Sequence, residues 1–518
     1  MKSTVQRLAI ALGAATVLQG CVTGTVIDAN SKQPITGVDV YAYHSCLGTG
    51  CPDSSYGHLQ TVQGGSFLFD AYGDAEGKDQ VQLVQPGAGN ESILLWFTAP
   101  NYFNTVVYHH PNYEEYTGNN GKKYQQTTVP TVYLCPFGAP DSDNDHLCDT
   151  AEASLGTDPH NRDSDGDGIS DGAEILGADD IDPHYYGASP LHKDVFIYVD
   201  YYVQPMQAAL NQVVQAFANA PLSNPDGKTG INLHVIMGQQ IATADQQQNI
   251  VGPLNGNWSN FDTIKNKYFP ARWKRFAHYV LFANQYDGGS SSGISRGIPA
   301  HDLIVTLGQW PTAYGTQLEQ AGTLMHELGH NLGLQHGGNE GRNYKPNYLS
   351  IMSYRYQVVG LYKDGADGAL DYSRLQLASL NEGSLNEQNG MPPTGATTTA
   401  DTAHYGAKFS SGLAKGTVNG PLDFNRNNVF DTGTLGVDLD GNGATDTYNA
   451  SQNDWNAIAY TGNSNGGGII GYGAALWEGQ SLMANSVQKV PPAMSYDLPI
   501  SLPQTITPAN MEPELDHP

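Results

Sequence analysis

Residues 323–336, TLMHELGHNLGLQH, constrain this chain more than any other stretch. Wound as a helix, they set His326 and His330 one turn apart, so both imidazoles leave one face and can hold one metal ion, with Glu327 beside them. Gly333 follows three residues after the second histidine. A residue free to take positive φ there ends the helix and turns the chain back, which returns His336 as a third ligand. Three neutral imidazoles suit zinc best, would accept cobalt or nickel, and leave a fourth tetrahedral position for water. The metal lowers that water's pKa to about 7, and Glu327 is placed to take the proton.

The pattern HExxHxxGxxH is far more restrictive than HExxH alone, and it is followed by Ser350-Ile351-Met352-Ser353-Tyr354. Together these two stretches resemble the metzincin zinc metallopeptidases, in which a Met-turn lies beneath the metal. The resemblance implies that Met352 is an apolar floor and, with Gly333, supports the site. It also implies that Tyr354 ligates zinc at rest and swings away to stabilise the oxyanion, with plain packing as the competing role. The implied fold is an α/β catalytic domain with a twisted mixed sheet, an active-site helix and an irregular lower half.

The surrounding sequence fits that domain over residues 191–470. Residues 194–203 (DVFIYVDYYV) form a continuous β-rich run suited to a buried strand, residues 205–218 have helical character with proline at the start, and 231–236, 279–283 and 302–307 are further strands. The zinc helix is expected from about Thr316. Metzincins hold peptide substrates against an edge strand, for which residues 293–300 are the candidate. Beyond the Met-turn no apolar periodicity extends the core, and residues 392–400 read as loop.

Ahead of this domain the chain changes character several times. Residues 1–20 read as a signal peptide, since Lys2 and Arg7 precede an apolar run, 8–18, too short for a permanent span. Leu18-Gln19-Gly20-Cys21 resembles a bacterial lipobox, which implies acylation of Cys21, membrane attachment through it and, with Val22 next, outer-membrane sorting. Residues 21–137 alternate apolar and polar positions around a turn, a hairpin signature over 24–29 and 33–40; with Gly64-Gly65-Ser66-Phe67 they resemble the carboxypeptidase regulatory-like β-sandwich. His109-His110 reads as a surface pair. Cys46, Cys51, Cys135 and Cys148 allow three pairings, with proximity favouring 46–51 and 135–148. The stretch from Cys135 to Asp141 also faintly resembles a metzincin cysteine switch, against which a disulfide is the competing reading.

Residues 138–190 are an acidic linker with calcium-loop spacing. Asp163, Asp165, Asp167, the Ile169 carbonyl, Asp171 and Glu174 occupy positions 1, 3, 5, 7, 9 and 12, with Gly168 at position 6. An earlier copy has Asp141, Asp143, Asp145, the Leu147 carbonyl, Asp149 and Glu152, but carries His146 where glycine is wanted. The pair resembles bacterial thrombospondin type 3 repeats, which implies structural Ca2+ that stiffens a spacer. Two weaker loops lie at 423–446: Asp438, Asp440, Asn442 and Asp446 with Gly443 at the turn, and Asp423, Asn425, Asn427 and Asp431 without that glycine. Residues 471–518 form a proline-rich, acidic C-terminal extension.

Lys+Arg 24 against Asp+Glu 51 gives a formal charge of −27, which argues against nucleic acid as a partner. The expectation is a multidomain, extracytoplasmic or surface lipoprotein: a zinc endopeptidase that hydrolyses exported proteins or peptides with Glu327 as base. The alternative is a lipid-anchored, calcium-binding adhesin with a silent metal site, and a hydrolase of some other bond is a third reading. Oligomeric state and substrate preference stay open.

Overall fold

The computed structural model describes residues 20–44, 57–69, 92–112, 114–117, 123–246, 257–286, 289–312 and 314–460. Residues 1–19, expected as most of a signal peptide, Cys46, Cys51 and the 471–518 extension lie outside the described residues. The chain divides into two units, one formed by described residues up to Leu155 with Leu176–Tyr185, the other by Gly156–Ile175 and described residues from Tyr186 onward. The division falls inside the acidic linker, so each repeat loop belongs to a different unit.

The first unit is built mainly of β-strands. Its strands are β1 (Gly20–Asp28), β2 (Asp39–His44), β3 (Gly57–Gln60), β4 (Ser66–Phe69), β5 (Ile93–Thr98), β6 (Thr105–His109), β7 (Glu114–Thr117), β8 (Lys123–Thr128) and β9 (Val132–Leu134). One sheet has the order β4-β1-β8-β7 with β9 also beside β1, and the other has the order β3-β2-β5-β6. In β1, buried Val22, Gly24 and Val26 alternate with half-buried Thr23 and Thr25, the period of a strand with one face inward. Phe67 of β4 meets Phe97 of β5 edge-on at 5.5 Å, so side chains of the two sheets interlock.

The hairpin expected over 24–40 forms only at its turn. Asp28 Oδ1 accepts the N–H groups of Asn30 and Ser31, and Ile27 bridges Pro34. Pro34 has no N–H with which to continue a ladder, and β2 joins the other sheet. His109 is likewise not a surface residue: it is 5% exposed and its Nε2 pairs with Thr127 Oγ1 at 2.8 Å. Cys135 and Cys148 form a disulfide with a Cα–Cα distance of 5.9 Å, which removes Cys135 as a latency thiolate.

The second unit is built on a five-stranded sheet. Helix α1 (Asp149–Leu155) belongs to the first unit, and α2 (Asp171–Leu176) and α3 (Pro183–Tyr186) fall at the points of division; after them come β10 (Asp194–Tyr201), α4 (Gln207–Ala218), β11 (Asn232–Gln240), α5 (Ser259–Tyr268), β12 (Ala277–Ala283), β13 (Gly293–Ser295), β14 (Asp302–Thr306), α6 (Gln317–Asn331) and α7 (Tyr354–Gln357). The order is β11-β10-β12-β14-β13; the first four strands are parallel and β13 lies antiparallel to β14 at the edge. Strands β10, β12 and β14 are buried almost throughout, as expected for parallel strands covered on both faces. Helices α4 and α6 pack together beside them, and Val213, Phe217, Val280, Val305, Leu324, Leu328 and Met352 share one core.

The segment after the Met-turn has a second core, contrary to the expectation that none extends there. Leu349, Leu377, Leu385, Met391, Val418, Leu422, Phe424, Leu439 and Tyr448 are buried together. They sit in short two-residue ladders and loops rather than long elements, so no 2- or 3.6-residue period marks them in the sequence. Taken as a whole, the chain is a multidomain protein of mixed sheets with few helices.

Candidate metal centres

Helix α6 sets the histidine centre. Its N-terminus is fixed by a capping box: Thr316 Oγ1 accepts the Glu319 N–H, and the Glu319 carboxylate accepts the Thr316 N–H at 2.6 Å. At the other end Gly333 has φ +91°, its N–H donates to the His330 carbonyl, and the Leu334 N–H donates to the Gly329 carbonyl. That paired bonding is a Schellman turn, and it reverses the chain toward His336. The turn also orients a ligand, because His330 Nδ1 donates to the Leu334 carbonyl at 2.7 Å. His326 Nδ1 donates to the Ile351 carbonyl, in the Met-turn, at 2.9 Å.

The three rings meet at Nε2. His330 Nε2 is 3.1 Å from His326 Nε2 and 3.1 Å from His336 Nε2, and all three residues are buried. A carbonyl can only accept, so the ring protons of His326 and His330 lie on Nδ1 and their Nε2 lone pairs face one another. Lone pairs at that distance repel unless a cation lies among them, so the donor set fits a metal ion. Burial holds His330 down to about 4 and, with the added effect of His330, His336 down to about 2, which keeps the imidazoles neutral and able to donate.

Glu327 is buried on the same helix. A Cβ on Gly293 of the edge strand β13 would lie 2.9 Å from Glu327 Cγ, so only glycine lets this strand pass so close. Met352 is fully buried against the helix; a Cβ on Gly329 would fall 2.3 Å from its sulfur. Tyr354 opens α7, its ring centroid 4.4 Å from that of His336, and its N–H donates to Asn343 Oδ1 at 3.0 Å. Beneath the Met-turn, Asp454 Oδ2 accepts the Tyr348 and Ser350 hydroxyls and the Ser373 N–H. Sequence reading missed Asp454, Asn343 and Ser373, because nothing local marks them as belonging to the site.

The acidic loops share one backbone form. Residues 4 and 6 of each loop have positive φ: Asn144 and His146, Gly166 and Gly168, Arg426 and Asn428, Gly441 and Gly443. In each, the fifth residue accepts the N–H of the seventh: Asp145 from Leu147, Asp167 from Ile169, Asn427 from Val429, and Asn442 from Ala444. His146 thus takes the left-handed conformation at the place where Gly168 takes it in the second copy.

Asp165, Asp167, Glu174 and also Asp194 gather their oxygens within 4.8 Å. Asp163 accepts the N–H groups of Gly166, Asp167 and Gly168, and Asp171 accepts the Ser164 N–H and hydroxyl. In the first loop Asp141, Asp143 and Asp145 gather, Asp145 and Glu152 also fall together in a further group of potential ligands, and Asp149 is engaged by Ser142. In the loop at 438–446, Asp440 and Asp446 join Glu382, while Asp438 holds the N–H groups of Gly441 and Gly443 and Asn442 donates to Asp440 and Asp446. Glu382 supplies the carboxylate that the loop lacks at position 12, and Glu387 braces Asn425 and Asp431 of the other loop through their N–H groups. Neither glutamate is identifiable from loop spacing.

The model of the bacterial TSP3 repeat matches residues 141–161 and 163–176. This supports a calcium-binding role for these loops and accords with an extracytoplasmic location. No curated protein matches the chain. Similar solved structures include archaemetzincin from Methanopyrus kandleri, at 14% identity over 31% of this chain and 81% of that one with a TM-score of 0.21. They also include catechol 1,2 dioxygenase from Acinetobacter radioresistens, at 15% over 26% and 57% with a TM-score of 0.18. Hydroxyquinol 1,2-dioxygenase from Pseudomonas putida DLL-E4 is similar at 10% over 24% and 58%, with a TM-score of 0.16. The chain spans less than two thirds of these dioxygenases, and likenesses of this size carry no argument. Among the described residues no helix is long and apolar enough to cross a membrane.

Proposed function

We propose that this chain is a zinc-dependent endopeptidase of metzincin type acting on exported proteins, carried behind calcium-binding repeats and attached to a membrane by acylated Cys21. The observation that carries the reading is the convergence of three Nε2 atoms at 3.1 Å contacts with the Nδ1 protons of His326 and His330 committed to carbonyls. His326, His330 and His336 would hold the ion. Zinc bound there supplies Lewis acidity and makes water nucleophilic at neutral pH.

The chain's own residues account for the remaining requirements of the reaction. Glu327, on the helix between the first two histidines and against β13, takes a proton from the attacking water and passes it to the leaving amine. A peptide added antiparallel to β13 would be held by backbone hydrogen bonds with its scissile carbonyl at the histidines. The Tyr354 ring lies 4.4 Å from that of His336, which supports its phenol as the donor to the oxyanion. Gly333 and Met352 fix the third ligand and the floor.

A calcium-binding surface adhesin is the second reading, favoured by the repeat match. It predicts ligand binding without turnover. Incubating the full chain with denatured protein, with chelator and with zinc restored, separates the two: cleavage lost on chelation and regained with zinc supports the peptidase, whereas undigested protein in every condition overturns it.

A further inference from the structure

The second repeat loop is not closed by its own residues. Glu174 is 1% exposed, and among the described residues neither of its carboxylate oxygens has a hydrogen-bond partner; Asp165 Oδ2 is buried in the same condition. Burying carboxylates without donors is costly unless a cation satisfies them. The fourth member of the group, Asp194, lies outside the repeat as the first residue of β10. Its N–H donates to Asp167 Oδ2 at 2.6 Å, and its own carboxylate is held in place by the Ser189 N–H at 2.9 Å and by His234, which stacks on Phe196. Lys193 is also close, but its ammonium is given to the Asp165 carbonyl.

We infer that Asp194 completes a calcium site with Asp165, Asp167 and Glu174, so that one divalent cation ties the repeat to the first residue of β10. The all-oxygen, carboxylate-rich donor set suits calcium rather than zinc, and each carboxylate oxygen already accepting one hydrogen bond keeps a second lone pair. Burial, followed by the neighbouring carboxylates, pushes Asp165 up to about 8 and raises Asp167 and Glu174 well above the usual carboxylate range. A shared cation removes that repulsion. Because β10 pairs with both β11 and β12, calcium at its first residue anchors the strand ladder that leads across to β14 and the histidine helix.

This inference rests on the calcium reading of the repeat. It is tested on the full chain, at constant zinc, by calcium titration calorimetry of the wild type, Asp194→Asn, Glu174→Gln and the double variant. Each single change is expected to weaken the same site at least about tenfold, and the double variant to weaken that one site further while the remaining calcium sites keep their affinity. Hydrogen exchange of the wild type with and without calcium is the second reading of the same claim, and it decides the matter even if Asp194→Asn does not fold. The amides of 194–197 should exchange at least about tenfold more slowly with calcium. Loss of the site in Glu174→Gln alone, or calcium protection confined to 163–174, overturns the role of Asp194 and leaves the repeat's calcium binding standing. No calcium uptake by the wild type overturns both.

Discussion

The histidine centre and the acidic centre of the second unit solve opposite problems. The three imidazoles are buried, and those of His326 and His330 are oriented by backbone carbonyls, a support that persists whether or not an ion is bound. The four carboxylates, three on the repeat loop and Asp194 on β10, repel one another, and a cation among them would remove that repulsion. The difference separates a donor set oriented in advance of any ion from one whose ion-binding energy would be part of the fold.

The largest effect expected from this contrast is on turnover. Glu327→Ala should lower cleavage of a denatured protein by about 10²–10⁴-fold, the usual range for a lost general base, while metal analysis still finds zinc in the variant. A rate equal to the wild type's would remove Glu327 from the mechanism. Next in size, calcium removal with zinc retained should lower the thermal midpoint by several degrees, since an ion at about a hundred times its Kd contributes about 2.7 kcal/mol. Zinc removal with calcium retained should leave far-UV circular dichroism unchanged. Equal responses to the two ions would erase the distinction drawn between the centres.

Two smaller tests sharpen it. His146→Gly relieves the left-handed side chain in the first loop, at φ +81°, and should tighten calcium there by about 1 kcal/mol, seen as a several-fold lower Kd. The corresponding glycine of the second loop is the internal control. The last is a pH effect near the histidine helix, where burial lowers His278 to about 3 and His301 to about 4. Both are neutral in the fold but protonate near 6.5 once unfolded, so the unfolded chain binds more protons across that window. Stability should therefore be full above about pH 6.5 and fall as pH drops toward 4 and 3. Denaturant midpoints across that range check it, and a His278→Asn variant should flatten the profile; a wild-type midpoint that rises on acidification contradicts it.

What could be read from the sequence follows from how locally each feature is encoded. Thr316 with Glu319, His326 with His330, and Gly333 with His336 lie within a few residues of their partners, so spacing on a helix and one turn suffices to predict their meeting. The buried strands 194–201, 277–283 and 302–306 declare themselves by β-rich runs made mostly of apolar residues. By contrast Asp194, Glu382, Glu387 and Asp454 reach their loops from elsewhere in the chain, and a lone acidic residue in sequence carries no mark of its distant partner. The second core escaped because its apolar residues are isolated between loops braced by buried glutamates.

The most direct test of the central claim is a crystal structure recorded with anomalous scattering at the zinc edge. The account predicts one peak bonded to Nε2 of His326, His330 and His336 at about 2.0–2.1 Å, with Glu327 beside it. A structure in which zinc is absent from that point, or in which His336 is turned away from the other two rings, contradicts it.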